Sequence, residues 1–368
     1  MKQQTSATTE TKIKGRNIID FSGKTIWVGI DVHEKDLQVA KVLDGICLGN
    51  HRMAADSQAL IGHLNSRYPG ATFKSVYESC AWGFTLQREL SAAGMECIVV
   101  HAADVSSSDK EKKRKTDKVD ALKLARNLAN GDLTAIYVPD EDLQKERNLI
   151  RFRKKLVGDL NRSKNRLKSL LKYQGIKIPE RLGKKNNWSY NFMNWVEEEA
   201  NKDVLLKDTL LLMLDQIKSL RQLLFKTERA LRKLMQTRYN EKAKLLMTAP
   251  GIGRTTAMLF LLEIGDIKRF GSFDALNDLV GFCPDTDSSG DTERDRGITS
   301  RRHKQLRSAL IEAAWTAIRI DPALMDAYQK LLKRMKGHYA IVRIARKLLR
   351  RMRAMLLTGQ SYQKGVIA

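Results

Sequence analysis

The sequence predicts a mixed α/β domain near the N-terminus, then a long helical region and a mainly helical C-terminal region. Three observations carry this prediction. Short β-rich segments alternate with helical segments up to about residue 140, apolar residues then recur at helical spacing, and helices resume around a glycine-containing turn after residue 245. The chain has 368 residues. At about 150 residues per domain, this length corresponds to two or three domains.

The α/β region begins with a β-rich segment, Thr25 to Asp31, that ends on a carboxylate. Two further predicted strands, 37–43 and 46–53, are joined by a tight turn at Asp44-Gly45. The elements that follow are predicted, alternately helix and strand, at residues 57–66, 73–77, 84–93, 96–100 and 117–129. The order βββαβαβα is typical of ribonuclease H-like domains, in which helices pack on a mixed sheet.

An apolar seam runs through the helical region at steps of four and three residues. Its positions are Leu206, Leu210, Met213, Ile217, Leu220, Leu224, Thr227, Leu231 and Leu234. This period of about 3.5 residues predicts a coiled-coil or helical-hairpin arm. An ordinary amphipathic bundle is the alternative, because Leu205, Leu211 and Leu212 widen the apolar stripe.

The C-terminal region has two apolar helices around the turn Pro250-Gly251-Ile252-Gly253. Residues 283–300 are polar without an apolar period, so we predict a loop there, followed by helices at 301–320 and within 323–357. We therefore expect a flexible leader, an α/β domain, a helical arm and a C-terminal domain at residues 1–24, 25–140, 141–240 and 241–368.

The charge of the chain points to a polyanionic partner. Sixty-six Lys and Arg against 42 Asp and Glu give a net charge of +24. Residues 151–190 contribute +11 and residues 301–368 contribute +13, while the rest is nearly balanced. Nucleic acid is the favoured partner and an anionic membrane surface the alternative. The four cysteines lack zinc-ligand spacing, and no apolar stretch is long enough for a membrane span.

Four carboxylates form the first candidate site: Asp31, Glu78, Asp117 and Asp120. The first two end predicted strands, and the other two lie three residues apart on one helix face. Clustered carboxylates need cations to offset their repulsion, and oxygen ligands suit Mg²⁺ or Mn²⁺. We predict a metal site here. Solvated acids at loop and helix ends are the alternative.

Phosphate contacts are predicted at three further places. A basic run precedes Asp117, the turn at 250–253 resembles a helix-hairpin-helix turn with backbone amides at a helix start, and basic residues follow the polar loop. These candidates are Lys112, Lys113, Arg114, Lys115, Gly251, Gly253, Arg301, Arg302, Lys304 and Arg307. For each, an ordinary solvated or turn residue is the alternative. Trp188, Tyr190 and Trp195 could stack bases, although core packing is expected for at least two of them.

The motifs together resemble the insertion sequence 110 family of DEDD-type transposases, relatives of the Piv DNA invertase. The resemblance rests on WVGID with Asp31, on Glu78, on the string Lys115-Thr116-Asp117-Lys118-Val119-Asp120-Ala121, on PGIG, and on a late Ser-Gly loop before Leu306-Arg307-x-x-Leu310. It extends from about residue 25 to about residue 355.

The resemblance implies a RuvC-like N-terminal domain whose metal-binding tetrad is Asp31, Glu78, Asp117 and Asp120. It implies Ser289 as a nucleophile that forms a phosphoserine link to DNA, with Ser288 as the alternative from the residues alone. It further implies a bridge RNA that pairs with donor and target DNA, a dimer or tetramer that brings tetrad and serine together, and a bacterial, nucleoid-associated cytoplasmic protein.

The function expected from these features is Mg²⁺-dependent DNA recombination, in which DNA is cut and rejoined through serine. A RuvC-like nuclease that uses water and a non-catalytic nucleic-acid-binding protein are the alternatives. No membrane partner is expected.

Overall fold

The computed structural model divides the chain into two compact units, Met1–Val138 and Pro139–Ala368. It describes residues 10–13, 16–106, 116–183, 188–289, 292–298 and 303–365, with the backbone alone for the hairpins at 10–19 and 284–298. Each unit has its own hydrophobic core.

The first unit is built on a mixed five-stranded sheet. Its strands are β3 (Thr25–Val32), β4 (Asp36–Leu43), β5 (Ile46–Ala54), β6 (Thr72–Glu78) and β7 (Glu96–Val100). The sheet order is β5-β4-β3-β6-β7. The pairs β5–β4 and β4–β3 are antiparallel, and the pairs β3–β6 and β6–β7 are parallel. Asp44 and Gly45, at φ 48° and 79°, form the predicted turn between β4 and β5.

Three helices accompany this sheet, and all three were predicted from the sequence. They are α1 (Ser57–Arg67), α2 (Thr85–Ala92) and α3 (Asp117–Asn130). Leu60, Leu64 and Leu90 pack with Leu37 and Val39 on one face of the sheet. Helix α3 packs against strands β3 and β4, where its Ala121 and Ala125 bury Ala40 and Val42. The predicted order βββαβαβα is confirmed.

A short hairpin precedes the sheet, where we expected only a flexible leader. Strand β1 (Glu10–Ile13) pairs antiparallel with β2 (Arg16–Ile19), Glu10 opposite Ile19. A backbone ladder can form without an apolar alternation, which is why the polar composition did not reveal it.

The second unit begins with long helices that pack along one another. These are α4 (Glu141–Tyr173), α5 (Tyr190–Ala200) and α6 (Val204–Arg238). The seam residues Leu210 and Ile217 are fully buried in a core with Leu167 and Leu171 of α4 and Phe192 of α5. The predicted seam therefore packs within the chain, and an intermolecular coiled coil stays a prediction.

The remaining helices of the second unit enclose a larger core. They are α7 (Asn240–Met247), α8 (Arg254–Ile264), α9 (Phe273–Val280), α10 (Lys304–Ile320), α11 (Pro322–Leu332) and α12 (Gly337–Thr358). Every residue from Ala257 to Ile264 of α8 is buried, so this helix is the centre of the core. The helical segment predicted at 323–357 is interrupted after Leu332 and resumes at Gly337. Among the described residues, no helix is long and apolar enough to cross a bilayer.

The prediction of a loop at residues 283–300 was wrong. Strand β8 (Pro284–Ser289) pairs antiparallel with β9 (Thr292–Ile298), and Ser289 lies opposite Thr292. The strands are polar, so the apolar period of two that usually indicates strands is missing. The intervening dipeptide Gly290-Asp291 is a two-residue hairpin signal that would have identified it.

Candidate metal centre

Asp31 and Glu78 lie next to each other at the carboxyl edge of the sheet. The parallel ladder of β3 and β6 pairs Ile30 with Tyr77, and each acid is the next residue of its strand. Both carboxylates are half-buried. Parallel neighbours end at the same sheet edge, as the sequence predicted.

Helix α3 brings its first turn to this edge because Gly29 lets it approach β3 closely. A Cβ at Gly29 would lie 2.0 Å from the Ala121 backbone oxygen and 2.5 Å from the Ala125 nitrogen. Gly29 and Asp31 are two residues apart, so they share the face of β3 on which α3 packs. At the helix start, Thr116 accepts a hydrogen bond from the Val119 N–H. The Asn50 side chain donates to the Lys118 carbonyl at 2.7 Å.

Asp31, His33 and Asp117 converge at this edge. One ligand atom from each lies within 4.8 Å of the others. His33 Nε2 is 3.2 Å from an Asp31 oxygen and 3.4 Å from an Asp117 oxygen. His33 was not among the predicted site residues, because a lone histidine after a strand carries no motif. The one sequence signal for His33 is its position, two residues after Asp31.

The electrostatics of this edge favour a bound cation. Burial raises the pKa of Asp31, His33 partly offsets that effect, and the nearby carboxylates of Asp117 and Asp120 raise the pKa further. Nε2 of His33 is buried and makes no aligned hydrogen bond to any described residue. The carboxylate oxygens are donors that suit Mg²⁺ or Mn²⁺, whereas an imidazole is a ligand more typical of transition metals. The residues present therefore fit a divalent metal ion.

Asp120 belongs to the same helix turn but is held by a cation. Lys123 Nζ lies 3.1 Å from an Asp120 oxygen, and both side chains are largely buried. The structure thus groups Asp31 and Asp117 with His33, places Asp120 one helix turn from Asp117, and places Glu78 on the adjoining strand. Lys112, Lys113, Arg114 and Lys115 lie outside the described residues.

The turn at 250–253 separates α7 from α8, as predicted. Gly251 has φ +82°, and a Cβ there would lie 2.3 Å from the Ala313 carbonyl oxygen, so packing and backbone conformation both require glycine. Gly253 precedes α8 without a side-chain cap, and the space around its Cα is open. Packing therefore explains why residue 251 is a glycine. The first backbone amides of α8 are a separate case, because no side chain caps them.

The predicted nucleophile Ser289 is the last residue of β8, and Ser288 precedes it. Beyond β9, Arg301 and Arg302 lie outside the described residues. Lys304 begins α10 and is exposed, whereas Arg307 is half-buried.

An ionic cluster around the buried Glu263 carboxylate anchors the start of α10 just after this hairpin, and the sequence did not reveal it. Arg151 contacts both carboxylate oxygens of Glu263, at 2.8 and 2.7 Å, and His303 Nε2 lies 3.1 Å from that carboxylate. His303 Nδ1 accepts from the Leu306 N–H. Burial alone would raise the pKa of Glu263, but Arg151 and His303 outweigh it and lower the pKa to about 2.

Two of the three aromatic residues considered for base stacking are core residues. Trp188 and Trp195 are 9% and 6% exposed and pack against Phe192. Tyr190 is 73% exposed. This confirms the expectation of core packing for at least two of them.

Two family models match the chain. One, the IS110 DEDD model described as "Transposase", matches residues 28–174, and one described as "Transposase IS116/IS110/IS902 family" matches residues 243–329. The first includes all four predicted metal-binding acids, and the second includes the turn at 250–253 and the β8–β9 hairpin.

Curated relatives carry names of the same kind. The chain is 27% identical to a putative transposase, y4qE, of Sinorhizobium fredii, over 82% of this chain and 74% of the relative. It is 23% identical to the transposase for insertion sequence element IS1533 of Leptospira borgpetersenii, over 79% and 85%. It is 34% identical to the pilin gene-inverting protein of Moraxella bovis, over 34% and 40%.

Proposed function

The chain belongs to the IS110 family of transposases, and on that premise we propose that it recombines DNA through a divalent metal centre and a serine nucleophile. Family membership makes it an enzyme of DNA strand cleavage and transfer, and indicates dependence on a divalent metal. The observation that carries the proposal is the convergence of Asp31, His33 and Asp117 at the sheet edge.

We propose that the first unit is RuvC-like. The central strand β3 is flanked by the antiparallel pair β4–β5 on one side and by parallel β6 and β7 on the other, which supports a ribonuclease H-like arrangement. In such an arrangement the acids belong on the central strand end, the next parallel strand end and the helix that crosses them. Asp31, Glu78 and Asp117 occupy these three positions.

Asp31, Glu78, Asp117 and Asp120 would hold the metal, which we expect to be Mg²⁺. When bound, such an ion stabilises the charge that develops on a scissile phosphate. Gly29 and the Asn50 contact hold α3 so that its acids face Asp31 before DNA arrives. This prior arrangement lowers the cost of reorganisation during the reaction. His33 sits between two of the acids and is a further candidate ligand or counter-cation.

We propose Ser289 as the nucleophile. Its Oγ forms a bond to the DNA phosphorus, the bond from phosphorus to one DNA oxygen breaks, and the serine proton ends on that oxygen as a DNA hydroxyl. A hydroxyl of the exchanging strand then attacks the phosphoserine, which restores the serine and joins the new strand. Lys304 and Arg307, beyond the hairpin, are candidates to hold phosphates.

A bridge RNA would supply sequence recognition by base pairing, and the basic segment 151–190 is its proposed contact. We propose a dimer or tetramer in which tetrad and serine come from different subunits. We propose that a protein with such DNA and RNA partners acts in the bacterial cytoplasm, at the nucleoid.

Covalent trapping tests this function. Wild-type protein, Ser289→Ala and Ser288→Ala are incubated with Mg²⁺ and a DNA substrate carrying the element's end, and adducts are counted after denaturation. We expect adducts from wild type and Ser288→Ala, and none from Ser289→Ala, with DNA binding retained by all three. Cleaved DNA without any adduct would instead support a nuclease that uses water. Adducts from Ser289→Ala would overturn the serine assignment.

A further inference from the structure

A basic groove lies between α11 and α12, and none of the predicted phosphate contacts lines it. Its cavity has a volume of about 700 Å³. Ala323, Leu324, Ala327, Leu331 and Ala354 provide the apolar part of its lining. The basic part consists of Lys330, Arg334, Arg343, Arg346, Lys347, Arg350 and Arg351, against one acid, Asp326. A surface with this imbalance attracts an anionic ligand.

The cations of the groove fall into two groups. The inner arginines are held in place: Arg351 bonds to buried Asp321 at 2.7 Å, and Arg346 lies 3.3 Å from Asp274. The guanidinium of Arg350 stacks over the Phe273 ring at 4.6 Å. These contacts fix the wall formed by α12, as expected of a preformed binding surface.

The outer cations are exposed and available. Arg334, Arg343 and Lys347 make no ion pair with any residue in the described part of the chain. Arg343 and Lys347 are four residues apart on α12, so they lie on one face of that helix, and Arg334 lies in the turn that follows α11. Long cations without internal partners gain most from an external phosphate, since no ion pair has to be broken first.

We propose that this groove binds the sugar–phosphate backbone of the DNA that flanks the cleavage site. The inference rests on the proposed function and names a second DNA contact for it. Helix α12 packs against α9 and α10, the two helices between which the β8–β9 hairpin is inserted. The groove therefore lies in the same unit of the chain as the proposed serine. A backbone fits the groove because its phosphates match the rim while its sugars meet the apolar lining.

The test compares two triple variants that lose the same charge. Arg334→Gln, Arg343→Gln and Lys347→Gln are combined in one, and Lys24→Gln, Lys145→Gln and Lys202→Gln in the other. The three control lysines are exposed, and each has an acidic partner: Asp44, Glu141 and Glu199. Binding is measured by fluorescence anisotropy over a range of salt, with duplex DNA carrying the element's end, an RNA hairpin of equal length, and an acidic peptide.

The plot of log K against log salt for duplex DNA has a negative slope. We expect the magnitude of this slope to decrease by about 2–3 in the groove variant, because each lost phosphate contact removes about 0.9. The control slope should change by less than about 1. An equal change in both variants, or a loss confined to the RNA or the peptide, would overturn the proposal.

Adduct formation at saturating DNA separates this inference from the proposed function. The groove variant should still form adducts at saturating DNA, because its tetrad and Ser289 are intact. If wild type forms no adduct, the serine chemistry fails while the salt slopes still decide the groove.

Discussion

The two units of this protein carry charge in opposite ways. In the first unit the important acids are positioned by packing: α3 lies tightly on Gly29, and His33 lies between half-buried Asp31 and exposed Asp117. In the second unit the available cations are exposed, and the buried charges, such as Glu263, are paired. A metal site needs donors fixed by packing, whereas a phosphate backbone is bound by long side chains that can adjust.

The largest effect is expected at the fixed acids. Asp31→Asn removes a carboxylate from the cluster, and DNA cleavage should fall by at least about 10²-fold, equivalent to about 3 kcal/mol of transition-state stabilisation. A chelator should abolish wild-type cleavage, and added Mg²⁺ or Mn²⁺ should restore it. Cleavage assays at saturating DNA measure both. Full activity of Asp31→Asn would show that the acidic edge is not the reaction centre.

Gly29 tests whether packing fixes the acids. Gly29→Ala places a methyl group 2.0 Å from the Ala121 carbonyl oxygen, and the backbone of α3 has to move. We expect a loss of about 3 kcal/mol in the free energy of unfolding, with a loss of cleavage. Gly62→Ala is the matched control: Gly62 is in α1 with open space around it, and alanine there should stabilise by about 0.5–1 kcal/mol. Urea unfolding followed by circular dichroism compares them, and equal stability of the two variants would refute the packing argument.

Glu263 tests the paired buried charge of the second unit. Its pKa of about 2, against 4.5 for an ordinary glutamate, corresponds to about 3 kcal/mol of stability. Because the folded-state pKa is the lower one, this stability is complete above about pH 4.5 and is lost as the pH falls towards 2. The free energy of unfolding of Glu263→Gln should be lower than that of wild type by about 3 kcal/mol at pH 7, and this difference should be smaller at pH 3. A difference that does not vary with pH would contradict this account.

The smallest effect is expected at Lys41, a buried cation of the first unit. Its replacement should stabilise the protein, whereas the test replacements above destabilise it or reduce its activity. The Lys41 side chain is 1% exposed, burial lowers its pKa to about 8, and Nζ lies 2.7 Å from His51 Nδ1. Lys41→Met should raise the free energy of unfolding by about 1–3 kcal/mol at pH 7. Between pH 8 and 10.5 the unfolded wild-type chain binds more protons at Lys41 than the folded chain does, so the wild type becomes more stable as the pH rises. The difference in free energy of unfolding between Lys41→Met and wild type should therefore become smaller in this range. Thermal unfolding at pH 7 and pH 9.5 measures it, and a destabilised Met variant would show that the His51 contact outweighs the burial.

The elements of the first unit could be predicted because each has a local signal. Apolar strands ending in acids, the Asp44-Gly45 turn and the spacing of α3 all act within a few residues. The β8–β9 hairpin was missed because its polar strands are joined by backbone pairing, which leaves no apolar pattern. His33 was missed for a different reason. Its contact with Asp117, which lies 84 positions further along the chain, depends on the close approach of α3 to Gly29.

The ionic cluster around Glu263 could not be predicted from the sequence either. Arg151, Glu263 and His303 come from three helices or their ends, and only tertiary packing brings them together. A charge pattern predicts contacts one helix turn apart, such as Asp120 with Lys123, but not contacts between distant elements.

We propose that acids of the first unit of one subunit and Ser289 of another subunit complete one reaction centre. Asp117→Ala and Ser289→Ala are purified separately, shown to be inactive alone, mixed, and assayed for covalent adducts and strand transfer. Random mixing in a dimer should restore roughly a quarter of the wild-type centres, since half of the dimers are mixed and half of their sites are complete. The account predicts this recovery. A mixture that exchanges subunits but stays inactive would contradict it.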